Sequence, residues 1–123
     1  MGLCMTHKKG DKVFILSEDL SLEIIVSGIH NIGDRKEVEL RVKTGEGDKE
    51  RIETYALNYF GAEARITENV LVGLYTSPSG VDYHVGSNGV SLTYTAPRKY
   101  LILREKLYDK IMLERKLSHE KNL

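Results

Sequence analysis

The stretch that decides the fold runs from Val90 to Ile111 and reads VSLTYTAPRKYLILREKLYDKI. Apolar and polar side chains alternate from Val90 to Thr95, which is the period of a half-buried strand. Ala96-Pro97 interrupts that strand, because proline has no N–H to give to a sheet, and a short apolar strand follows over residues 100–103. Apolar residues then recur at helical spacing. The stretch therefore predicts two strands and a C-terminal amphipathic helix.

One face of the predicted helix carries the apolar side chains. Leu107, Tyr108, Ile111 and Met112 recur at helical spacing, with charged residues between them. We expect Leu107, Ile111 and Met112 to pack against the protein. The segment after Lys116 is polar and is predicted to fray.

Upstream of this stretch the sequence predicts two hairpins. Residues 3–8 and 12–16 read as strands joined by Lys9-Gly10-Asp11, where glycine gives the backbone freedom that a tight reversal needs. Residues 20–27 alternate with period two, and so do residues 38–43 after the turn residues Asn31-Ile32-Gly33-Asp34. This second pair of strands forms the other predicted hairpin.

The middle of the chain is less regular. Residues 44–50 are polar and contain glycine, which predicts an exposed loop and a boundary of an insert. Residues 51–70 fit a short helix and a strand about equally well, and we favour the helix. Residues 70–75 and 81–85 are strand-like, with turns at residues 76–80 and 86–89.

Composition points to one folded domain in a reducing compartment. The chain has 123 residues, of which 41% are hydrophobic and 29% charged, and one cysteine, Cys4. A single cysteine excludes an internal disulfide framework, which fits a cytoplasmic protein. No apolar run is long enough to span a bilayer, and the N-terminus lacks the pattern of a signal peptide, so we expect no membrane partner.

Charge is balanced overall but unevenly distributed. The chain has 18 basic and 18 acidic residues, yet residues 44–95 carry 3 basic and 7 acidic side chains, and residues 96–123 carry 8 and 4. The middle is thus net −4 and the C-terminal segment net +4. The basic end permits a local surface for phosphate, although an ordinary solvated helix surface would look the same.

No pattern of residues points to catalysis or to a cofactor. Cys4 has no histidine beside it in sequence, and no Gly-x-Ser-x-Gly motif is present. The four histidines are scattered singly, which supports neither a metal site nor paired ligands and suggests surface or rim positions. The glycine pairs match neither a phosphate-binding loop nor a dinucleotide fingerprint. We therefore predict a protein that is not an enzyme and has no cofactor or metal.

Two segments resemble the carbon storage regulator family (CsrA/RsmA) of translational repressors. In that family a strand ending in Ala-Pro leads through a short strand into Arg-Glu-Glu-Ile-Tyr at the helix start, which is similar to the stretch quoted above. Residues 3–12 read LCMTHKKGDK and look like the family's opening Leu-Ile-Leu-Thr-Arg-Arg-x-Gly-Glu. The resemblance covers roughly the first thirty and the last forty residues.

This resemblance implies a mostly β (β-rich α+β) fold of antiparallel strands in an intertwined homodimer with a C-terminal amphipathic helix. Residues 1–123 would form one such domain, with an inserted β or short-helix segment at about 44–80. Residues 20–29 would be the third strand and residues 90–95 the fourth. Asp19 to Val42 could supply the family's central hairpin, or residues 81–85 could replace part of it.

The resemblance also implies a function. In the family the first strand of one subunit lies beside the last strand of the other, and the resulting basic edge reads GGA in RNA hairpin loops and covers ribosome-binding sites in mRNA. Single-stranded loop bases can be read in this way on their edges while cations hold phosphates. The predicted RNA contacts are Thr6, His7, Lys8, Arg98, Lys99 and Arg104. Arg104 matches the family's arginine between strand and helix.

Some residues depart from the family pattern. The arginine pair of the first strand is replaced by His7-Lys8, and Leu103 stands where histidine is frequent. An alternative role for Arg104 is a structural ion pair with a carboxylate. An alternative function is a protein-interaction module, regulator or antagonist, that binds a protein partner through the acidic insert or blocks its own RNA edge. A third is duplex DNA binding by a β-rich dimer, for which no recognition helix is evident.

Overall fold

The protein folds into nine strands and one helix over the part of the chain that the computed structural model describes, namely residues 2–18, 20–32, 35–45, 50–58, 63–74 and 89–121. The strands are β1 (Gly2–Lys8), β2 (Lys12–Leu16), β3 (Ser21–Ile32), β4 (Arg35–Thr44), β5 (Arg51–Leu57), β6 (Glu63–Thr67), β7 (Val70–Leu74), β8 (Gly89–Thr95) and β9 (Leu101–Arg104). Helix α1 (Glu105–Lys121) follows β9 directly. The fold is mostly β, as the sequence predicts. Within these residues no helix is both long and apolar enough to cross a membrane.

The strands form two antiparallel sheets. The four-stranded sheet has the order β1-β8-β7-β6, and the five-stranded sheet has the order β5-β4-β3-β2-β9. β1 lies along β8 from Gly2, opposite Thr95, to Lys8, opposite Gly89. The predicted β3–β4 hairpin is confirmed and contains a bulge between Val26 and Gly28.

The hydrophobic core lies between the two sheets. Alternate residues along each strand point inward, because successive side chains of a strand face opposite sides. The fully buried apolar side chains of the five-stranded sheet are Val13, Ile15, Leu22, Ile24, Val26, Val38, Leu40, Val42 and Leu57. Those of the four-stranded sheet are Val70, Val72, Val90, Leu92 and Tyr94. Each such aliphatic side chain contributes roughly 1.5–3 kcal/mol of transfer free energy, so this core is the main source of stability.

The predicted hairpin of β1 and β2 is wrong in its pairing, although both strands exist. β1 pairs with β8, while β2 pairs with β3 and β9. The reversal at Lys9-Gly10-Asp11 carries the chain from one sheet to the other. Gly10 adopts a φ of +94°, which glycine accepts without steric cost.

The predicted short helix within residues 51–70 is also wrong. This region forms β5 and β6 instead, and all seven residues of β5 pair with β4. β5 is an edge strand of its sheet and only Leu57 on it is fully buried. Polar Arg51 and Glu53 occupy inward positions of β5. The sequence therefore lacks the apolar residues at every second position that would identify a half-buried strand.

Helix α1 lies on the outer face of the five-stranded sheet. Phe14 of β2 and Tyr108 stack with ring centroids 3.7 Å apart and planes 9° apart. Ile111 and Met112 are half-buried as expected, but Leu107 is 48% exposed, so its predicted packing role is wrong. The helix also continues to Lys121 rather than fraying after Lys116.

The segment predicted to be an insert continues both sheets. β5 extends the five-stranded sheet beyond β4, and β6 and β7 extend the four-stranded sheet beyond β8. The strand predicted at residues 81–85, the turn at residues 76–80 and most of the turn at 86–89 lie outside the described residues. The predicted loop at 44–50 is likewise described only at its ends.

Candidate nucleic-acid interface

The structure divides the six predicted RNA-contact residues into two groups. One group lies where β1 meets the end of β9, and the other lies in the turn between β8 and β9. The first group contains Thr6, His7, Lys8 and Arg104, and the second contains Arg98 and Lys99. The four residues of β9, at about 3.3 Å per residue, separate the end of the turn from Arg104 by roughly 13 Å.

Arg104 joins the two sheets at their β1 and β9 edges. It stands directly opposite Val13 of β2, whose side chain faces the core, so the arginine side chain starts on the inner side of its sheet. From there its Nη1 donates a hydrogen bond to the Thr6 carbonyl oxygen, 3.0 Å away. The alternative role predicted for Arg104 is a structural ion pair with a carboxylate. Among the described residues Arg104 forms no such ion pair. Its side chain is exposed, and a guanidinium has five N–H donors, so further donors can reach a ligand.

Thr6 and Lys8 flank this contact on β1. Because they are two residues apart in a strand, both face the outer side of the four-stranded sheet, and both are exposed. The Thr6 Oγ1 lies 3.3 Å from the Ser91 Oγ on β8. The Lys8 main-chain N–H donates to Asp11 Oδ2 at 2.9 Å, which leaves the ammonium group at the surface.

His7 is buried, so the predicted surface or rim position is wrong for this histidine. It is only 1% exposed and faces the core between Thr6 and Lys8. Its Nε2 lies 2.8 Å from the Tyr94 hydroxyl, and the two rings meet edge to face. Its Nδ1 lies 3.9 Å from Asp11 Oδ2 and has no hydrogen-bond partner among the described residues.

The surroundings of His7 keep its imidazole neutral at pH 7. Burial lowers the pKa of His7 from 6.5 to about 4, and the positive charge of Arg104 acts in the same direction. The Asp11 carboxylate opposes this shift but does not outweigh it. His7 therefore supplies no cation to the surface; its ring fills space and pairs with Tyr94.

Sequence reasoning did not identify Tyr94 as part of this region. The residue occupies an inward position of β8, and burial raises the pKa of its hydroxyl well above the ordinary value of 10. A buried tyrosine hydroxyl nearly always has a hydrogen-bond partner. The alternation over residues 90–95 places Tyr94 inward, so a polar partner could have been expected on a neighbouring strand.

An open cavity of about 380 Å³ lies beside Arg104. It is lined by Gly10, Asp11, Lys12, Arg104, Glu105 and Lys106, which gives three basic and two acidic side chains. Lys12 is 3.4 Å from Glu23 and 3.9 Å from Glu105, so its charge is partly neutralised. Arg104 and Lys106 are both exposed at this cavity.

The turn with Arg98 and Lys99 forms a separate basic surface. The Tyr100 N–H donates to the Pro97 carbonyl at 3.0 Å, and the Lys99 ammonium lies 5.7 Å from the Tyr100 ring centroid. Lys99 borders a different cavity of about 630 Å³, between α1 and the outer face of the five-stranded sheet. The structure does not bring Arg98 and Lys99 together with Arg104.

The candidate interface thus consists of Thr6, Lys8 and Arg104, with Lys106 at its border. An exposed guanidinium and ammonium beside a strand edge can hold phosphates and donate to base edges. In comparisons with known proteins, no protein-family model, no curated protein and no solved structure matches the chain.

Proposed function

We propose that this protein is an RNA-binding post-transcriptional regulator that binds a GGA-type hairpin loop and represses translation. The observation that carries the proposal is the position of Arg104. Its exposed guanidinium contacts Thr6, so the two segments that resemble the carbon storage regulator family come together at one surface. No catalytic step is part of the proposal.

The chemistry of the interface suits a single-stranded loop. β1 is an edge strand of its sheet, so its outer main-chain groups face away from β8 and can meet bases that are splayed out of a loop. Arg104 can contact a guanine edge bidentately, which gives sequence discrimination. Lys8 and Lys106 are ammonium groups on flexible chains that suit phosphates. Binding at a ribosome-binding site would exclude the ribosome, and this is the proposed basis of repression.

The experiment that tests the proposal measures binding to a short hairpin RNA with GGA in its loop and to a scrambled-loop control. Arg104→Ala is expected to weaken binding to the GGA loop roughly 5- to 100-fold, since a bidentate arginine contact is worth about 1–3 kcal/mol. Arg115→Ala is the matched control, because it removes the same charge from an exposed position on α1. Equal binding of both loops, or equal effects of both substitutions, would contradict the proposal.

Salt dependence separates the roles of the two cations. Lys8→Ala is expected to weaken both RNAs alike and to make the slope of log K against log salt shallower by about 0.7, the value for one phosphate contact on a single strand. Arg104→Ala is expected to reduce discrimination between the loops instead. A cell-free translation assay of an mRNA with GGA at its ribosome-binding site then tests repression, with the Arg104→Ala variant as control.

A further inference from the structure

The cavity between α1 and the outer face of the five-stranded sheet has no role in the proposed RNA edge. Its volume of about 630 Å³ lies within the range of roughly 300–1,000 Å³ that is typical of small-ligand sites. Its walls come from α1, from the turn between β8 and β9, and from the segment that joins β2 to β3. The lining combines apolar, aromatic and charged side chains, so a ligand that fits it must offer several kinds of group.

The floor of this cavity is apolar and incompletely covered. Leu16 and Leu101 are paired across β2 and β9. Each adjoins a residue of its own strand that packs into the core, so both face the outer side of the sheet. Leu101 is 51% exposed, and Met112 of α1, which borders the same cavity, is half-buried. A flat apolar ligand would cover this floor and gain the free energy of apolar burial.

Tyr108 adds an aromatic surface to one wall. Phe14 is stacked on one face of its ring, with the centroids 3.7 Å apart, and Phe14 does not border the cavity. The part of Tyr108 that borders the cavity is therefore not the part that Phe14 covers. Stacking on an aromatic side chain favours a planar ligand such as a nucleobase over a flexible alkyl chain.

Two opposite charges border the cavity without a partner of their own. Glu18 and Lys99 are both exposed, and neither forms an ion pair among the described residues. A carboxylate accepts hydrogen bonds from the exocyclic amino group of a base, and an ammonium group suits a phosphate. A nucleotide therefore matches both charges, whereas a carboxylate on an alkyl chain would be repelled by Glu18.

We propose that this cavity is a second nucleotide site, which binds one unpaired base with an exocyclic amino group together with its phosphate. The base lies over the apolar floor beside Tyr108, Glu18 accepts a hydrogen bond from the amino group, and Lys99 holds the phosphate. The four residues of β9 separate the site from Arg104 by roughly 13 Å, so an unpaired nucleotide outside the GGA loop can occupy it. This last step rests on the proposed function; the affinity for a free nucleotide does not.

The first experiment titrates the protein with AMP, adenosine, UMP and octanoate and follows the NMR signals of Tyr108 and Met112. AMP is expected to shift these signals with roughly millimolar affinity. Adenosine lacks the phosphate and UMP lacks the amino group, so each should bind roughly 2- to 10-fold more weakly. Octanoate has a charge and an apolar chain but no ring. Tighter binding of octanoate than of AMP, or no shift with AMP, would overturn the proposal.

Two substitutions test the polar contacts. Lys99→Ala should lower the affinity for AMP to that for adenosine, and Glu18→Ala should remove the preference for AMP over UMP. The matched controls are Lys110→Ala and Glu114→Ala, which remove the same charges from exposed positions on α1 that do not border the cavity. The controls should leave all affinities unchanged. Equal effects of a substitution and its control would also overturn the proposal.

The closing experiment compares the GGA hairpin with the same hairpin carrying a single-stranded adenosine extension. The extension should strengthen binding roughly 5- to 100-fold, the effect of stacking one base, and Glu18→Ala should abolish this gain. Removal of a negative charge would strengthen non-specific binding of RNA, so a loss identifies a contact. AMP binding without hairpin binding would refute the proposed function alone. Hairpin binding without AMP binding or a gain from the extension would refute this inference alone.

Discussion

Arg104 and His7 lie close to each other at β1 but differ in exposure and in charge. Arg104 stays exposed and keeps its charge, while His7 is buried, neutral and paired with Tyr94. The charge of Arg104 helps to keep His7 neutral. The position at which the resembled family has an arginine is here part of the core, so the proposed RNA edge would rely on Arg104 and Lys8.

At the residue scale, the burial of His7 predicts a loss of stability in mild acid. The pKa of His7 is about 4 in the folded protein against an ordinary 6.5, so between these values the unfolded chain binds a proton that the folded protein does not. The free energy of unfolding should therefore fall as pH drops from about 6.5 to about 4, by up to about 3 kcal/mol. Urea denaturation across this range measures it.

The control for this titration is His7→Asn, because carboxylates also titrate near the lower end of the range. Its unfolding free energy should be lower at neutral pH but should depend less on pH between 6.5 and 4. Parallel pH profiles of the two proteins would show that His7 does not carry the effect.

Tyr94→Phe tests the buried hydrogen bond without creating a cavity. The substitution removes the hydroxyl 2.8 Å from His7 Nε2 and leaves that nitrogen without its partner. We expect a loss of about 1–3 kcal/mol in the free energy of unfolding, the cost of an unsatisfied buried polar group. Tyr100→Phe is the control, since Tyr100 is half-buried and lies outside the pair. An equally small change in both variants would contradict the assigned role.

The resemblance was enough to predict which residues belong to the candidate site. It could not predict which of them are buried. Thr6 and Arg104 come together as expected, but nothing in residues 3–8 states that His7 faces the core. Only the pairing of β1 with β8, distant in sequence, fixes which side of β1 is inward. Arg98 and Lys99 are near Arg104 in sequence, yet β9 holds them apart.

At the element scale, individual strands were predictable and their partners were not. Alternation of side chains identified β3, β4 and β8, because it reports which residues face the core. It does not report the neighbouring strand. The short turn at Lys9-Gly10-Asp11 therefore looked like a hairpin turn, although it crosses between sheets.

The attachment of α1 to the sheet depends on one aromatic pair. Phe14→Ala removes the ring stacked on Tyr108 at 3.7 Å. We expect a loss of about 1–3 kcal/mol in the free energy of unfolding and faster amide exchange in α1, because the helix loses its main contact with β2. Leu113→Ala is the control, since Leu113 is 57% exposed and its removal should cost less than about 0.5 kcal/mol. Unchanged amide exchange in Phe14→Ala would refute this attachment.

At the scale of the whole molecule, the closed turn after β1 carries the chain from one sheet to the other. Gly10 has a φ of +94°, and a side chain added there would meet no neighbouring atom, so the cost of a substitution is backbone strain alone. Gly10→Val should therefore lower the free energy of unfolding by about 1–2 kcal/mol through backbone strain. Urea denaturation of the variant and of the unsubstituted protein measures this loss.

Gly45→Val is the matched control for this substitution. Gly45 also has a positive φ, of 87°, but it follows β4, whose next strand in the chain is its own hairpin partner β5. The two substitutions should cause similar backbone strain, but only Gly10→Val also disturbs a turn that is hydrogen-bonded to Val26 of β3, so its loss of stability should be the larger. Equal losses in both variants would contradict a special role of the β1 turn.

The pairing of β1 with β8 also sets the order of events during synthesis. Thr6 leaves the ribosome well before Ser91, which is 85 residues later, so at about 5–20 residues per second β1 waits roughly 4–17 s for its partner strand. The β2-β3-β4-β5 meander needs only local contacts and can form during that interval. The proposed RNA edge does not exist until β9 has also emerged. A nascent chain therefore cannot bind RNA through the proposed edge until residue 104 has left the ribosome.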